Sequence, residues 1–201
     1  NNIAQVGSPA FAFQLTDYAR DPATGKVIVD AVTGYPTQAA ELVVKGRSLP
    51  LWVIGVSPSF TMGNFSVAMT WDYKGGHNFY SGLGSDADFA GISARSAEYG
   101  RQRFVFPNSV INIGTAAAPK YVDNTSVQVQ DGNYGFWTSS TANTAIATNY
   151  FASAQAIRLR ELNISYNLPT RWLGNGKAIK KITISAVAKN LFLFVPKSNQ
   201  W

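Results

Sequence analysis

His77 is the only histidine among 201 residues, and there is no cysteine. A Ser-His-Asp triad would have to use that one imidazole, and a His-His or thiolate metal site cannot be assembled at all. Beside Gly75-Gly76, His77 reads as an exposed loop residue rather than a base or a ligand. The nearest approach to a carboxylate pair is Asp86 with Asp88. That spacing could hold calcium, but in a Gly- and Ser-rich stretch it reads as a solvated turn. Asp72 and Lys74 share the polar parity of an alternating run, where charge costs little and catalysis is not expected. Gly82-Leu83-Gly84 lacks the strand–turn–helix setting of a dinucleotide fingerprint. The expectation is a protein that is not an enzyme, with no cofactor and no resident metal.

What remains is binding chemistry. Aromatic residues make up 13% of the chain, and Tyr80, Tyr99, Tyr121, Tyr134 and Trp137 are dispersed through its middle. Such rings stack on sugars or clasp peptide side chains, and they also simply pack a loop. The net charge is +6, yet charged residues are only 14% against a usual ~25%. The cations fall into small groups: Arg95, Arg101 and Arg103; Arg158 and Arg160; Lys177, Lys180 and Lys181. No run of five like charges occurs and no nucleic-acid motif accompanies them, so no nucleic-acid partner is expected.

The elements that must position these groups repeat with period two. Across 51–61, Trp52, Ile54, Val56 and Phe60 fall on one parity and Gly55, Ser57, Ser59 and Thr61 on the other, with Pro58 awkwardly on the apolar side. After Met62-Gly63-Asn64, the residues Phe65, Val67, Met69, Trp71 and Tyr73 alternate with Ser66, Ala68, Thr70, Asp72 and Lys74. Two alternating runs joined by a tight turn predict a β-hairpin. A second pair follows: Leu162, Ile164, Tyr166 and Leu168 against Asn163, Ser165 and Asn167, then Ile182, Ile184, Ala186 and Ala188 against Thr183, Ser185 and Lys189. Pro169, Gly174, Asn175 and Gly176 lie between them. Arg158 and Arg160 have the parity of Leu162 and Ile164, which predicts that they sit on the apolar side beyond its band, at the external end of the strand.

The fold class expected is all-β, antiparallel. Residues 1–50 read as a loop region, 51–74 as a hairpin, 75–153 as a long loop with structure of its own, 154–194 as a second hairpin and 195–201 as the start of another loop. Short turns on one side and very long connections on the other are the signature of an outer-membrane barrel, whose strands need only ~9–11 residues each. No apolar run reaches the ~18 residues of a membrane-spanning helix, and no leader segment is visible at Asn1. Both ends read as cut. A soluble β-sandwich that binds carbohydrate through its loop aromatics is the alternative, and periodicity does not separate the two. A secreted hydrolase is a poor third, for want of catalytic residues.

The ordered fragments carry a resemblance. They include Asp21-Pro22-Ala23-Thr24-Gly25-Lys26, Gly55-Val56-Ser57-Pro58-Ser59-Phe60, Asp72-Tyr73-Lys74-Gly75-Gly76, and the loop piece Arg101-Gln102-Arg103-Phe104-Val105-Phe106-Pro107-Asn108. The most specific are Ile157-Arg158-Leu159-Arg160-Glu161-Leu162-Asn163-Ile164-Ser165-Tyr166-Asn167-Leu168-Pro169 and, some way on, Ala188-Lys189-Asn190-Leu191-Phe192. In this order they resemble the C-terminal part of the SusC/RagA-like TonB-dependent outer-membrane transporters. The resemblance implies part of a transmembrane β-barrel of about 22 strands with long external loops. It also implies active import of oligosaccharides or peptides, with energy from TonB and a SusD-like surface lipoprotein as lid. The plug, the TonB-coupling region and the final strand would lie outside this chain. Trp52, Ile54, Phe65, Val67, Met69, Trp71, Ile164, Tyr166, Ile182 and Ile184 would face lipid, and Tyr80, Tyr99, Tyr134, Trp137, Arg158 and Arg160 are the candidates for ligand contact.

Overall fold

The structure is a computed structural model and describes residues 1–138, 140–173 and 179–197. The Gly174-Asn175-Gly176 turn, Lys177 and the end at Trp201 lie outside the described residues. The strands are, in order, β1 (Asn2–Ile3), β2 (Ala12–Leu15), β3 (Val27–Val29), β4 (Val43–Lys45), β5 (Trp52–Val56), β6 (Ser59–Met62), β7 (Phe65–Gly75) and β8 (Asn78–Tyr80). Helix α1 (Gly82–Phe89) follows, then β9 (Ser109–Asn112), β10 (Tyr121–Asp123), α2 (Tyr134–Trp137), β11 (Phe151–Ser153), β12 (Ala156–Asn167) and β13 (Thr183–Phe194). They divide into two compact units: a loop unit of Asn1–Ser48 with Asn78–Ala152, and a sheet unit of Leu49–His77 with the described residues from Ser153 to Lys197.

The sheet unit is one antiparallel sheet in the order β13-β12-β7-β5, with β6 also on β7. Its outer strands are open edges, and no closed barrel exists among the described residues. β5 and β6 keep a single register along β7, from Trp52 opposite Gly75 to Met62 opposite Phe65. Pro58 costs nothing here. It falls at the break between the two strands, where no donor is required of it, and its carbonyl accepts from the Met69 N–H at 3.0 Å. The loop is Gly63-Asn64, with a positive φ at Gly63 only, the two-residue type II′ pattern whose twist suits a hairpin.

Residues directly opposite share a face, so the register sorts the side chains. Phe65 faces Tyr166, Val67 faces Ile164 and Met69 faces Leu162 across β7 and β12, and Ile184 lies opposite Tyr166 on β13. Trp52, Ile54, Val56, Phe60 and Met62 extend the same surface through β5 and β6. Each such pair contributes ~0.2–1 kcal/mol. Ile182 stands one residue ahead of β13, its carbonyl accepting from the Leu168 N–H at 2.9 Å. The second face carries Ser66, Ala68, Thr70, Asn163, Ser165 and Ser185, interrupted by Val53, Val187 and Leu193.

One feature breaks the alternation. Leu159 lies opposite Trp71 and Glu161 opposite Thr70, so Arg160 is an extra residue on β12. On β13 the same step is matched by two residues, Asn190 and Leu191, with Asn190 in the left-handed region at φ 53°. Above this bulge the parity of β12 reverses. Ile157 and Leu159 join the apolar face, with Phe192 and Phe194 beside them at a ring spacing of 6.2 Å.

The loop unit has a core of its own. Phe104, Val129, Phe136, Trp137 and Ala142 form one cluster, Tyr18, Val27 and Ile146 another, and Phe106 packs against both. Its sheets are small: β1-β2-β4, β10-β9-β3 and β11-β8, with β3 and β9 parallel. Two turns of the same chemistry bracket β3. Asp21 accepts from the Ala23 and Thr24 N–H groups, and Asp30 from those of Val32 and Thr33. In each turn a glycine with positive φ, Gly25 or Gly34, closes back onto the aspartate carbonyl. A side chain at Gly34 would collide with the Gln128 carbonyl oxygen.

Candidate functional site

The parity reversal relocates two of the candidate ligand contacts. Arg158 lies directly opposite Asp72, and the Arg160 guanidinium donates to Asp72 Oδ2 at 2.9 Å. Both arginines are therefore on the polar face, not on the apolar side where unbroken alternation would put them. The cause is the extra backbone residue at the bulge. With Asp72, Lys74, His77, Ala154 and Ala156 they line a cavity of about 190 Å³. His77 is half-buried in its wall, rather than an exposed loop residue, and its carbonyl accepts from the Ala154 N–H at 2.9 Å. The Arg160–Asp72 pair is partly exposed, so solvent screens it and its weight in stability is small. Its consequence is orientation: it holds one carboxylate oxygen of Asp72, while Oδ1 is buried without a partner.

The aromatic candidates separate. Tyr99 and Trp137 meet at a cavity of about 260 Å³ in the loop unit, lined also by Tyr18, Arg95, Phe106 and Asn149. Tyr99 stacks on Phe104 with ring centroids 4.0 Å apart, and Phe136 stands edge-on to Trp137 at 5.0 Å. Trp137 is only 5% exposed, so most of its surface is core and one edge faces the cavity. Tyr80 lies elsewhere, at a cavity lined by Phe13, Leu15 and Leu42, and makes an edge contact with Tyr150. Tyr134 is 73% exposed on α2. Tyr121 sits on β10 opposite Asn112.

The Arg-Phe-Pro loop builds the 260 Å³ cavity. Arg101 and Asn108 take left-handed backbone at φ 58° and 49°, and between them Phe104 and Phe106 turn into the core while Arg103 Nε donates to the Val129 carbonyl at 3.0 Å.

Beneath the cavity lies a polar network that alternation cannot reveal. Gly82-Leu83-Gly84 opens helix α1, capped by the Ser81 hydroxyl accepting from the Gly84 N–H at 3.1 Å. The helix carries Asp88 inward. It is 1% exposed, not part of a solvated turn. Tyr150 Oη donates to Asp88 Oδ2 at 2.8 Å, Asn143 Nδ2 donates to the same oxygen at 3.1 Å, and Ser93 Oγ donates to Oδ1. Arg95 stands 3.7 Å away and over the Tyr150 ring. Asn149 Nδ2 continues the network to Tyr18 Oη at 2.8 Å. Among the described residues no three His, Cys, Asp or Glu side chains gather in a metal-binding group.

Burial pushes the Tyr18 phenol up to about 12. Burial also pushes Tyr150 upward, reinforced by the hydrogen bond it donates to Asp88 and by that carboxylate's charge. Asp17 moves the other way. Burial alone would raise it, but the Thr148 hydroxyl, the Tyr18 N–H, Lys45 and Arg20 together hold it below the usual carboxylate range. The tyrosines thus contribute stability that is whole below the unfolded value of ~10 and is lost as pH rises through their raised values. Asp17 contributes stability that is whole above ~3.9 and is lost as pH falls through its lowered value. Amide protection factors in the loop unit, corrected for the intrinsic exchange rate, are expected to hold from about pH 4 to 10 and to fall beyond both limits. Tyr18→Phe should remove part of the alkaline loss and none of the acid loss. Protection that fails already near neutrality would refute this assignment.

Neither a protein-family model nor a curated protein matches the sequence. Solved structures do resemble the fold. The RagAB peptide importer in its closed-closed state matches with a TM-score of 0.54 at 18% identity, over 93% of this chain and 20% of that one. In the open-open state the values are 0.50 and 18%, over 93% and 19%. A further structure of the RagAB peptide transporter matches at 0.53 and 13% identity, over 93% and 19%. The chain spans about a fifth of the length of those proteins. At these identities the likeness is one of fold: antiparallel strands and long structured connections, in the arrangement of a segment of a peptide-importer chain.

Proposed function

We propose that the chain is a barrel segment of an outer-membrane active importer of peptides or oligosaccharides. TonB supplies the energy through regions outside this chain, and a SusD-like lipoprotein closes the outer side. One observation carries the reading: the apolar face runs across all the strands of the sheet unit, and among the described residues of that unit no second sheet covers it. Trp52 is 59% exposed, Ile184 62% and Phe194 56%. A water-soluble sheet seals such a face against another layer; lipid hydrocarbon is the solvent that leaves it open. The mostly small, polar opposite face suits a wet or plugged lumen. The likeness in fold to solved peptide importers supports the same reading, as does the resemblance of the ordered motifs. The helices give no competing route, since no described helix is long and apolar enough to cross a membrane, which says nothing of strands.

In this reading the apolar residues from Trp52 to Ile184 contact lipid, the arginines of β12 face the lumen, and the loop aromatics line the cargo's approach. The carbohydrate-binding sandwich would need an opposing sheet, and the described residues of the sheet unit form a single one. A nitroxide label tests the choice. Attached through cysteine at Ile184 of the full-length protein in liposomes, it should be relaxed by oxygen and shielded from a water-soluble nickel chelate. Attached at Ser185, the next residue and the opposite face, it should show the reverse. Equal access of the chelate to both would sink the lipid assignment.

A further inference from the structure

The 190 Å³ cavity on the polar face is a small mixed-charge site. Lys74, Arg158 and Arg160 bring three positive charges against the single negative charge of Asp72. Arg160 is engaged by Asp72, whereas no ion pair to Lys74 or Arg158 is present among the described residues. Two buried atoms of its lining, Asp72 Oδ1 and His77 Nδ1, have no hydrogen-bond partner. A buried polar atom without a partner is uncommon and costs stability unless something completes it. The two deficits are chemically different. Lys74 and Arg158 feel the charge of Asp72 but make neither an ion pair nor a side-chain hydrogen bond with it, and the Asp72 oxygen lacks a donor.

From this geometry, and resting on the import reading above, we infer that the cavity binds a carboxylate with an N–H or O–H donor close beside it. The carboxylate accepts from the Arg158 guanidinium, whose planar fork matches two carboxylate oxygens, and from the Lys74 ammonium. The adjacent donor reaches Asp72 Oδ1. Arg160 fixes the Asp72 carboxylate in place so that it does not swing onto the free cations. His77 Nδ1 borders the site and reports on its occupancy. Two classes of cargo present this chemistry: the C-terminal residue of a peptide, where the amide N–H neighbours the carboxylate, and a uronic acid, where ring hydroxyls do.

The probes are N-acetylglycine with its neutral counterpart N-acetylglycinamide, and glucuronate with glucose. Each is titrated at millimolar concentration into the full-length protein in detergent. The readout is the imidazole signal of His77 in isotope-labelled protein, assigned by its loss in His77→Gln. The expected result is that N-acetylglycine or glucuronate moves the signal at concentrations roughly tenfold or more below its neutral counterpart, the ratio that one charge-assisted hydrogen bond supplies. Which carboxylate does so identifies the peptide or the sugar source. In Lys74→Gln/Arg158→Gln the preference should vanish while the folded, heat-resistant form persists. Arg158→Lys, which keeps the charge and loses the fork, should keep part of it. A signal unmoved by either carboxylate, moved equally by the neutral probes, or still selective in the double variant would overturn the site. That failure would leave the import reading standing, since the latter is decided by the lipid exposure of Ile184.

Discussion

Met69→Arg is expected to cost about 2–4 kcal/mol of folded-state stability in a bilayer, the penalty for a cationic side chain on the lipid face near the midplane. Met69 is mid-strand in β7, on the apolar face opposite Leu162. Its neighbour Thr70 looks to the polar face, so Thr70→Arg should cost well under half as much. Depth sharpens the test. Phe65 begins β7 next to the Gly63-Asn64 turn, and Phe65→Arg should lie near the ~0–1 kcal/mol found close to the interface. The measurement is a denaturant titration of the full-length protein in liposomes, with the heat-resistant folded band in gels as a second readout. A penalty independent of depth would mean that the face is sealed by protein and not by lipid. Asp72→Asn, on the polar face, should matter little to assembly, since the ion pair it removes is partly exposed.

The second large effect is expected in the loop unit. Asp88→Ala removes the acceptor shared by Tyr150, Asn143 and Ser93 and the counter-charge of Arg95. Donors left unpaired in a buried site cost about 1–3 kcal/mol each, and breaking a buried charged network by deleting one member costs about 3–5 kcal/mol in all. Asp88→Asn keeps the shape but offers one acceptor oxygen for three donors, so it should fall between wild type and Asp88→Ala. The loss should be local. Amide exchange and protease cleavage should rise across Asn78–Ala152, while the sheet strands keep their protection and the heat-resistant band is unchanged. A uniform loss over β7, β12 and β13 would show that the two units unfold together and that the network is not the loop unit's own support.

Period-two alternation carries far in this protein, because a strand's two faces meet different surroundings and selection on each face leaves a local trace. Residues 54–74 show it, with Val53 the departure at its start. The parity of Trp52, Ile54, Phe60, Phe65, Val67 and Met69 is the parity of one face in the structure, and even Pro58 fits the register without loss of a hydrogen bond. The lower half of β12, from Leu162 to Tyr166, is equally plain.

Arg158 and Arg160 mark where local pattern stops being enough. A bulge adds one residue to the backbone and leaves the composition of both flanks unchanged; its only trace is Asn190, a residue that tolerates left-handed backbone, lying on the neighbouring strand. The register across three strands decides that the arginines meet Asp72. The loop unit is harder still. Asp88 is an acidic residue among glycines and serines, and only the return of Asn143 and Tyr150 from far along the chain makes it a buried acceptor. The pairing of β3 with β9 and the sharing of Phe106 between two clusters have the same character. The sequence alone therefore determined the strand faces of 54–74 and 162–166 and left this chain no thiolate or His-His metal pair, since those follow from residue type and near-neighbour spacing. Only the tertiary structure decided which charges share a cavity, because that depends on contacts between residues tens of positions apart and on a backbone irregularity that carries no periodic signal.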